Sequence, residues 1–123
     1  MRDYRKLEIW RRAHLLTVQV YRHTSGFPPD ERFNLTSQMR RCAASVPMNI
    51  AEGSGRATRA DYAHFLSIVG GSLNELEYQL ELSTDLGLGD LIEAAAMGRE
   101  VAEIRAMVTA LRSKVSPPRT ADS

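Results

Sequence analysis

The stretch Asp61-Tyr62-Ala63-His64-Phe65-Leu66-Ser67-Ile68-Val69-Gly70-Gly71-Ser72-Leu73-Asn74-Glu75-Leu76-Glu77-Tyr78-Gln79-Leu80 decides the fold. Tyr62, Leu66, Val69, Leu73, Leu76 and Leu80 recur at alternating intervals of four and three residues, the period of one face of an α-helix. A second stripe beside it (Phe65, Ile68, Ser72, Glu75, Gln79, Leu82) mixes apolar with polar groups. Thr58, three residues before Asp61, reads as an N-cap, and Gly87 as the residue after the helix end. The spacing therefore predicts one long helix from the Thr58 cap to about Leu86.

The same period continues on both sides. Upstream, Leu35, Met39, Cys42, Val46 and Ile50 line a helix expected from about Arg32 to Gly55. Pro47 falls inside it and removes a ladder hydrogen bond, at a cost of about 3 kcal/mol, so a kink is expected there. Earlier still, the stripes Leu7, Trp10, His14, Thr17, Tyr21 and Ile9, Ala13, Leu16, Val20 predict a helix over about 7–24. Gly26 and Pro28-Pro29 end it. Downstream, Asp90 with Glu93 repeats the capping pattern, and Ala94, Met97, Val101, Ile104, Val108, Leu111 and Val115 form a heptad seam closed by Ser116-Pro117-Pro118. No stretch has strand periodicity. Four long helices on short turns imply an all-α, antiparallel up-and-down four-helix bundle over residues 1–115, with a disordered tail at 116–123.

Small residues gather on two of these helices: Ala43, Ala44, Ser45 and Ala51 on the second, Gly70, Gly71 and Ser72 on the third. Adjacent glycines inside a helix cost about 1 kcal/mol each relative to alanine. The pattern predicts a tight contact between helices two and three, with a close-packed subunit contact as the competing reading.

Composition bounds the class. A chain of 123 residues with 43% hydrophobic and 25% charged side chains is one ordinary globular domain. The single cysteine, Cys42, excludes an intramolecular disulfide and a multi-cysteine metal site. No run approaches the ~18 apolar residues of a membrane span. The N-terminus lacks the apolar core of a signal peptide, so the expected compartment is the cytoplasm, with no membrane partner.

The formal net charge of +1 hides a segregation. Residues 1–60 carry a net +6, residues 61–90 a net −6, and residues 91–123 a net +1. Glu77, Glu81 and Asp85 stand at i, i+4 and i+8, where like charges repel, so arginines of helix one or two, of the same or a neighbouring subunit, are expected to offset them. Arg2, Arg5, Lys6, Arg11, Arg12, Arg22, Arg32, Arg40 and Arg41 make up a basic surface. Among them Arg5, Arg11, Arg12, Arg40 and Arg41 are the candidate phosphate contacts of a nucleic-acid face.

Chemistry-bearing motifs are incomplete. Asp61-x-x-His64 has the acid–histidine spacing of di-iron bundles, but no second such pair exists. Cys42 sits on an apolar stripe and reads as a buried thiol. No catalytic residue, metal or cofactor is expected. A polar stripe on helix two (Gln38, Arg41, Ser45, Asn49, Glu52, Arg56), with Glu75 and Gln79 on helix three, predicts a hydrogen-bond network that fixes helix packing or a subunit contact. A ligand pocket is the alternative reading of that stripe.

Several segments together resemble a known family. Leu7-Glu8-Ile9-Trp10, Phe27-Pro28, Glu31-Arg32-Phe33-Asn34-Leu35, and above all Ser45-Val46-Pro47-Met48-Asn49-Ile50-Ala51-Glu52-Gly53 with Gly55-Arg56 carry the likeness. Gly71-Ser72-Leu73 and Glu75-Leu76-Glu77 complete it. The chain resembles the bacterial four-helix bundle proteins of ribosomal RNA intervening sequences. Cys42 and the Gly70-Gly71 pair are small departures. The resemblance implies an antiparallel bundle and a ring-like homo-oligomer, a pentamer, without a settled activity. The accessory variability determinant of diversity-generating retroelements is similar in fold and ring form, and binds nucleic acid and a reverse transcriptase. Two functions follow as expectations. One is a non-enzymatic homo-oligomeric adaptor that binds RNA or DNA through its basic face, alone or together with a nucleic-acid-processing protein. The other is a scaffold whose basic and acidic faces mate between subunits.

Overall fold

The computed structural model describes residues 3–118. Four helices fill it: α1 (Glu8–Thr24), α2 (Leu35–Ser54), α3 (Arg59–Asp85) and α4 (Leu91–Val115). Short 3-10 turns at Tyr4–Lys6 and Pro29–Glu31 precede α1 and α2. Of the expected tail, residues 116–118 are non-helical and 119–123 lie outside the described residues.

Side-chain contacts fix the direction of each helix against its neighbour. Thr17 reaches Ala43 while Thr24 reaches Arg40, so α1 and α2 are antiparallel. Ser45 meets Ser72 while Gly53 faces Phe65, so α2 and α3 are too. Arg105 reaches Glu77 and Arg112 reaches Ser67 between α4 and α3, and Arg12 meets Glu100 while His23 meets Glu93 between α1 and α4. The helices pack in a cycle, α1–α2–α3–α4–α1, which is an up-and-down bundle. The apolar stripes meet on its axis, where Leu16, Val20, Met39, Val46, Ile50, Tyr62, Leu66, Leu73, Leu76, Val101 and Ile104 are fully enclosed.

The helix ends follow local chemistry. The Thr58 hydroxyl accepts from the Asp61 N–H at 3.1 Å, and the Asp90 carboxylate from the Glu93 N–H at 2.9 Å, as the capping pattern predicts. At the end of α3, Gly87 has φ of +74°, with Gly87 N–H donating to Thr84 and Leu88 N–H to Ser83: a Schellman turn that needs glycine's freedom. Helix α2 begins at Leu35, three residues later than the periodicity suggests, because Pro28-Pro29 opens a 3-10 turn instead. Phe33 is left outside the helix and 85% exposed.

Pro47 does not break α2, which is continuous from Leu35 to Ser54. Without an N–H, Pro47 leaves the Ala43 carbonyl without its ladder donor. The Thr17 hydroxyl of α1 fills that role, 3.1 Å from Ala43 O while also 2.9 Å from Ala13 O.

The expected close approach of α2 and α3 is present at Ser45 and Ser72, whose hydroxyls stand 2.8 Å apart, and it extends to Gly53. A Cβ on Gly53 would stand 2.7 Å from Phe65 Cβ, so glycine there lets the two helices touch. Cβ atoms on Gly70 and Gly71 would meet nothing within 4 Å. The glycine pair lies away from that contact.

Candidate functional site

Arg5, before α1, and Arg11 and Arg12 within it are paired with carboxylates of the chain, whereas Arg22 has no ion pair among the described residues. Arg11 pairs with Glu8 one turn back at 2.5 Å, and Arg5 lies 3.9 Å from Asp3 and over the Tyr4 ring. Arg12 crosses to α4 and is clamped between Glu100 and Glu103. These hydrogen bonds hold the Glu8 and Glu103 carboxyls below the ordinary carboxylate range and raise the Arg12 guanidinium above its own.

Arginines of α2 differ. Arg40 donates to Thr24 Oγ1 at 2.9 Å and to the Tyr21 carbonyl at 3.2 Å, with its guanidinium 4.8 Å from the Tyr21 ring centre. Arg41 donates to Ser37 Oγ at 3.0 Å. Arg32, just before the helix, lies 5.5 Å from the ring centre of Phe33. Every one of these partners is uncharged, so the three positive charges keep their full field. Asp30 and Glu31 occupy the preceding turn, and Glu31 is spent on the Leu35 N–H at 3.2 Å. The α2 N-terminus, with no acidic residue in its first turn, adds the positive end of its dipole.

The acidic counterpart lies at the same end of the bundle, on another side. Along α3, Glu77 is held by Arg105 of α4 at 3.1 Å, so helix four, not helix one or two, offsets it within the chain. Glu81 and Asp85 have no ion pair among the described residues. They border a groove of about 630 Å³ between α3 and α4, floored by small side chains such as Ala95, Gly98 and Ala102. Arg99 stands on its wall and leaves Glu81 and Asp85 in excess. Leu91, 64% exposed, closes its upper end, next to Ile92, 80% exposed.

The polar stripe of α2 consists mostly of local bonds. Asn49 donates to Ser45 O at 2.8 Å, and Glu52 pairs with Arg56 at 3.2 Å one turn on. The stripe joins α3 where the Ser45 and Ser72 hydroxyls stand 2.8 Å apart and where the Cys42 thiol donates to Ser72 O at 3.0 Å. Burial, with Glu75 nearby, pushes that thiol up to about 11. Gln38, Glu75 and Gln79 line a separate α2–α3 groove of about 370 Å³ beside Tyr78. Gln79 Oε1 is buried there without a partner.

One contact had no sequence signal. His23, almost fully buried, faces Glu93 across 2.8 Å and 70 residues of chain, on the wall of an α1–α4 cavity that Arg22 also lines. Among the described residues, no three His, Cys, Asp or Glu side chains gather as metal ligands would, and His64 is exposed. No described helix is long and apolar enough to cross a membrane.

Fold and surface together define a helical bundle whose distinctive chemistry lies on charged and apolar outer faces. The chain belongs to the 23S rRNA-intervening sequence protein family, whose model matches residues 5–110. Among solved structures, it is similar to a protein of unknown function from the S23 ribosomal protein family of Bacteroides thetaiotaomicron VPI-5482. The TM-score is 0.76 at 21% identity, over 85% of this chain and 97% of the other, a likeness of fold. No curated protein matches the chain.

Proposed function

We propose that this protein is a non-enzymatic, self-assembling four-helix bundle that works as a homo-oligomeric scaffold or adaptor, a closed ring. The supporting observation is the amount of large apolar surface left in water: Phe33, Ile92, Leu91, Met48 and Tyr78 are each at least 60% exposed, and three of them sit beside the charged faces at one end. Side chains of this size exposed in groups mark contact surfaces. The test is mass in solution by light scattering across protein concentration. The expected mass is a multiple of the 13.7 kDa protomer, five-fold for the pentamer that the family resemblance implies. A mass of one protomer at every concentration overturns the reading.

A second reading, binding of RNA or DNA, is favoured by one observation: Arg32, Arg40 and Arg41 carry charges that no carboxylate among the described residues pairs. A ring would repeat this surface in every subunit and raise avidity. The ribosomal RNA in the family's name points the same way. Binding of structured RNA and DNA should then weaken steeply with salt and drop on charge reversal of Arg41. Binding that is absent at low salt, or indifferent to salt, removes this reading.

A further inference from the structure

Resting on the reading that the chain self-assembles, we infer that its subunits join head to tail: the Arg32–Phe33–Arg40–Arg41 surface of one copy seats in the α3–α4 groove of the next. Three features match across this contact. Guanidiniums without carboxylate partners face Glu81 and Asp85, which have no ion pair among the described residues. An apolar tip, Phe33, faces the exposed Leu91 on the groove wall, beside small alanine and glycine lining residues that leave room for a ring. The positive end of α2 meets the end of α3, whose last turn holds Asp85 and no basic residue.

The position of the two surfaces sets the symmetry. Because α2 runs antiparallel to α3, the start of α2, the end of α3 and the start of α4 share one end of the bundle. The contact therefore joins two different patches at the same height, with a rotation from one copy to the next. A heterologous contact of that kind closes into a ring when the rotation divides a full turn. The interface would also relieve the Glu81–Asp85 repulsion that the chain leaves uncompensated.

Complementation between two charge-reversed variants tests this. The groove variant carries Glu81→Arg and Asp85→Arg; the surface variant carries Arg32→Glu and Arg41→Glu. Arg40 stays because it holds the carbonyl end of α1. Circular dichroism checks that each folds. Each alone is expected at the 13.7 kDa protomer mass. Mixed one to one, they are expected to assemble beyond the protomer mass, since the native surface of the groove variant meets the native groove of the surface variant and the two reversed patches are complementary in turn. A chain carrying all four reversals is expected to assemble by itself again, which guards against variants that are merely damaged. Wild-type protein of protomer mass would defeat the self-assembly reading itself, before any variant is made. An assembling wild type whose two variants keep the full mass overturns the head-to-tail contact alone. So does a mixture that stays at protomer mass beside a four-reversal chain that fails to assemble. If the surface variant keeps its mass but loses RNA binding, the arginines serve nucleic acid and the contact is refuted.

Discussion

Replacing Thr17 by valine probes how a proline survives inside α2. The Thr17 hydroxyl carries one proton and lies near two carbonyls, Ala13 O at 2.9 Å and Ala43 O at 3.1 Å. Ala13 O keeps its helical donor, whereas Ala43 O lost its own to Pro47. Ala43 is buried, so valine at 17 strands a carbonyl away from water. A net hydrogen bond is worth about 1 kcal/mol, and an unsatisfied buried acceptor costs about 1–3 kcal/mol. Thr17→Val should therefore destabilise by about 1–2 kcal/mol in the presence of Pro47. In a Pro47→Ala background the alanine N–H returns to Ala43 O, and the hydroxyl becomes dispensable. The cost of Thr17→Val should then fall by about 1 kcal/mol, and that difference is the coupling energy of the cycle. Urea unfolding followed by circular dichroism measures all four chains. Protein concentration is held fixed, because any self-association would add to apparent stability. Equal costs of Thr17→Val in both backgrounds would refute the argument.

Three further outcomes follow from the packing and the charges. Gly71→Ala should stabilise by up to about 1 kcal/mol, since its Cβ enters open space, whereas Gly53→Ala should destabilise by about 1–3 kcal/mol against Phe65; thermal unfolding separates the two signs. Glu8 and Glu103 have carboxyls depressed by arginine, so the native state holds their protons less tightly than the unfolded chain does. Stability from them is complete above the ordinary carboxylate value and lost as pH falls below it, and Arg12→Gln should flatten the acid limb of a pH–stability curve. An unchanged limb would mean that the clamp on α4 contributes nothing. Cys42, pushed up to about 11, should react with a thiol reagent at pH 8 far more slowly than in urea-unfolded protein; a rate equal to that of the unfolded chain would contradict its burial.

The helices were legible because a 3.6-residue period, two carboxylate or hydroxyl caps and one glycine turn are all local. Thr58, Asp90 and Gly87 do in space what their spacing announces. What failed to show was rotation about each helix axis. The small residues of α2 and α3 announce that the helices touch, but only the azimuth of α3 decides that Ser72 faces α2 while its neighbours Gly70 and Gly71 do not. The same holds for charge. Arg12 and its carboxylates are 88 and 91 residues apart in sequence, so block counting left Arg12 among the free cations. The start of α2 misled for a different reason. The periodicity extends the helix back to about Arg32, yet Pro28-Pro29 open a 3-10 turn, the helix begins at Leu35, and Phe33 is left in water.

Those cross-chain pairs change what the charge segregation means. Arg11 and Arg12 are consumed by glutamates, and Glu77 by Arg105, so part of the segregated charge cancels within the bundle. Among the charges without an ion pair in the described residues, two groups share one end of the bundle. Arg32, Arg40 and Arg41 remain on one side of one end, and Glu81 and Asp85 on another side of the same end, each beside exposed apolar side chains. Solvated surface charge needs no such neighbours, and a nucleic-acid face needs only the cationic half. A contact between copies uses both halves, and it also gives the exposed rings and leucine somewhere to go. That is why the head-to-tail interface accounts for more of this surface than phosphate binding does.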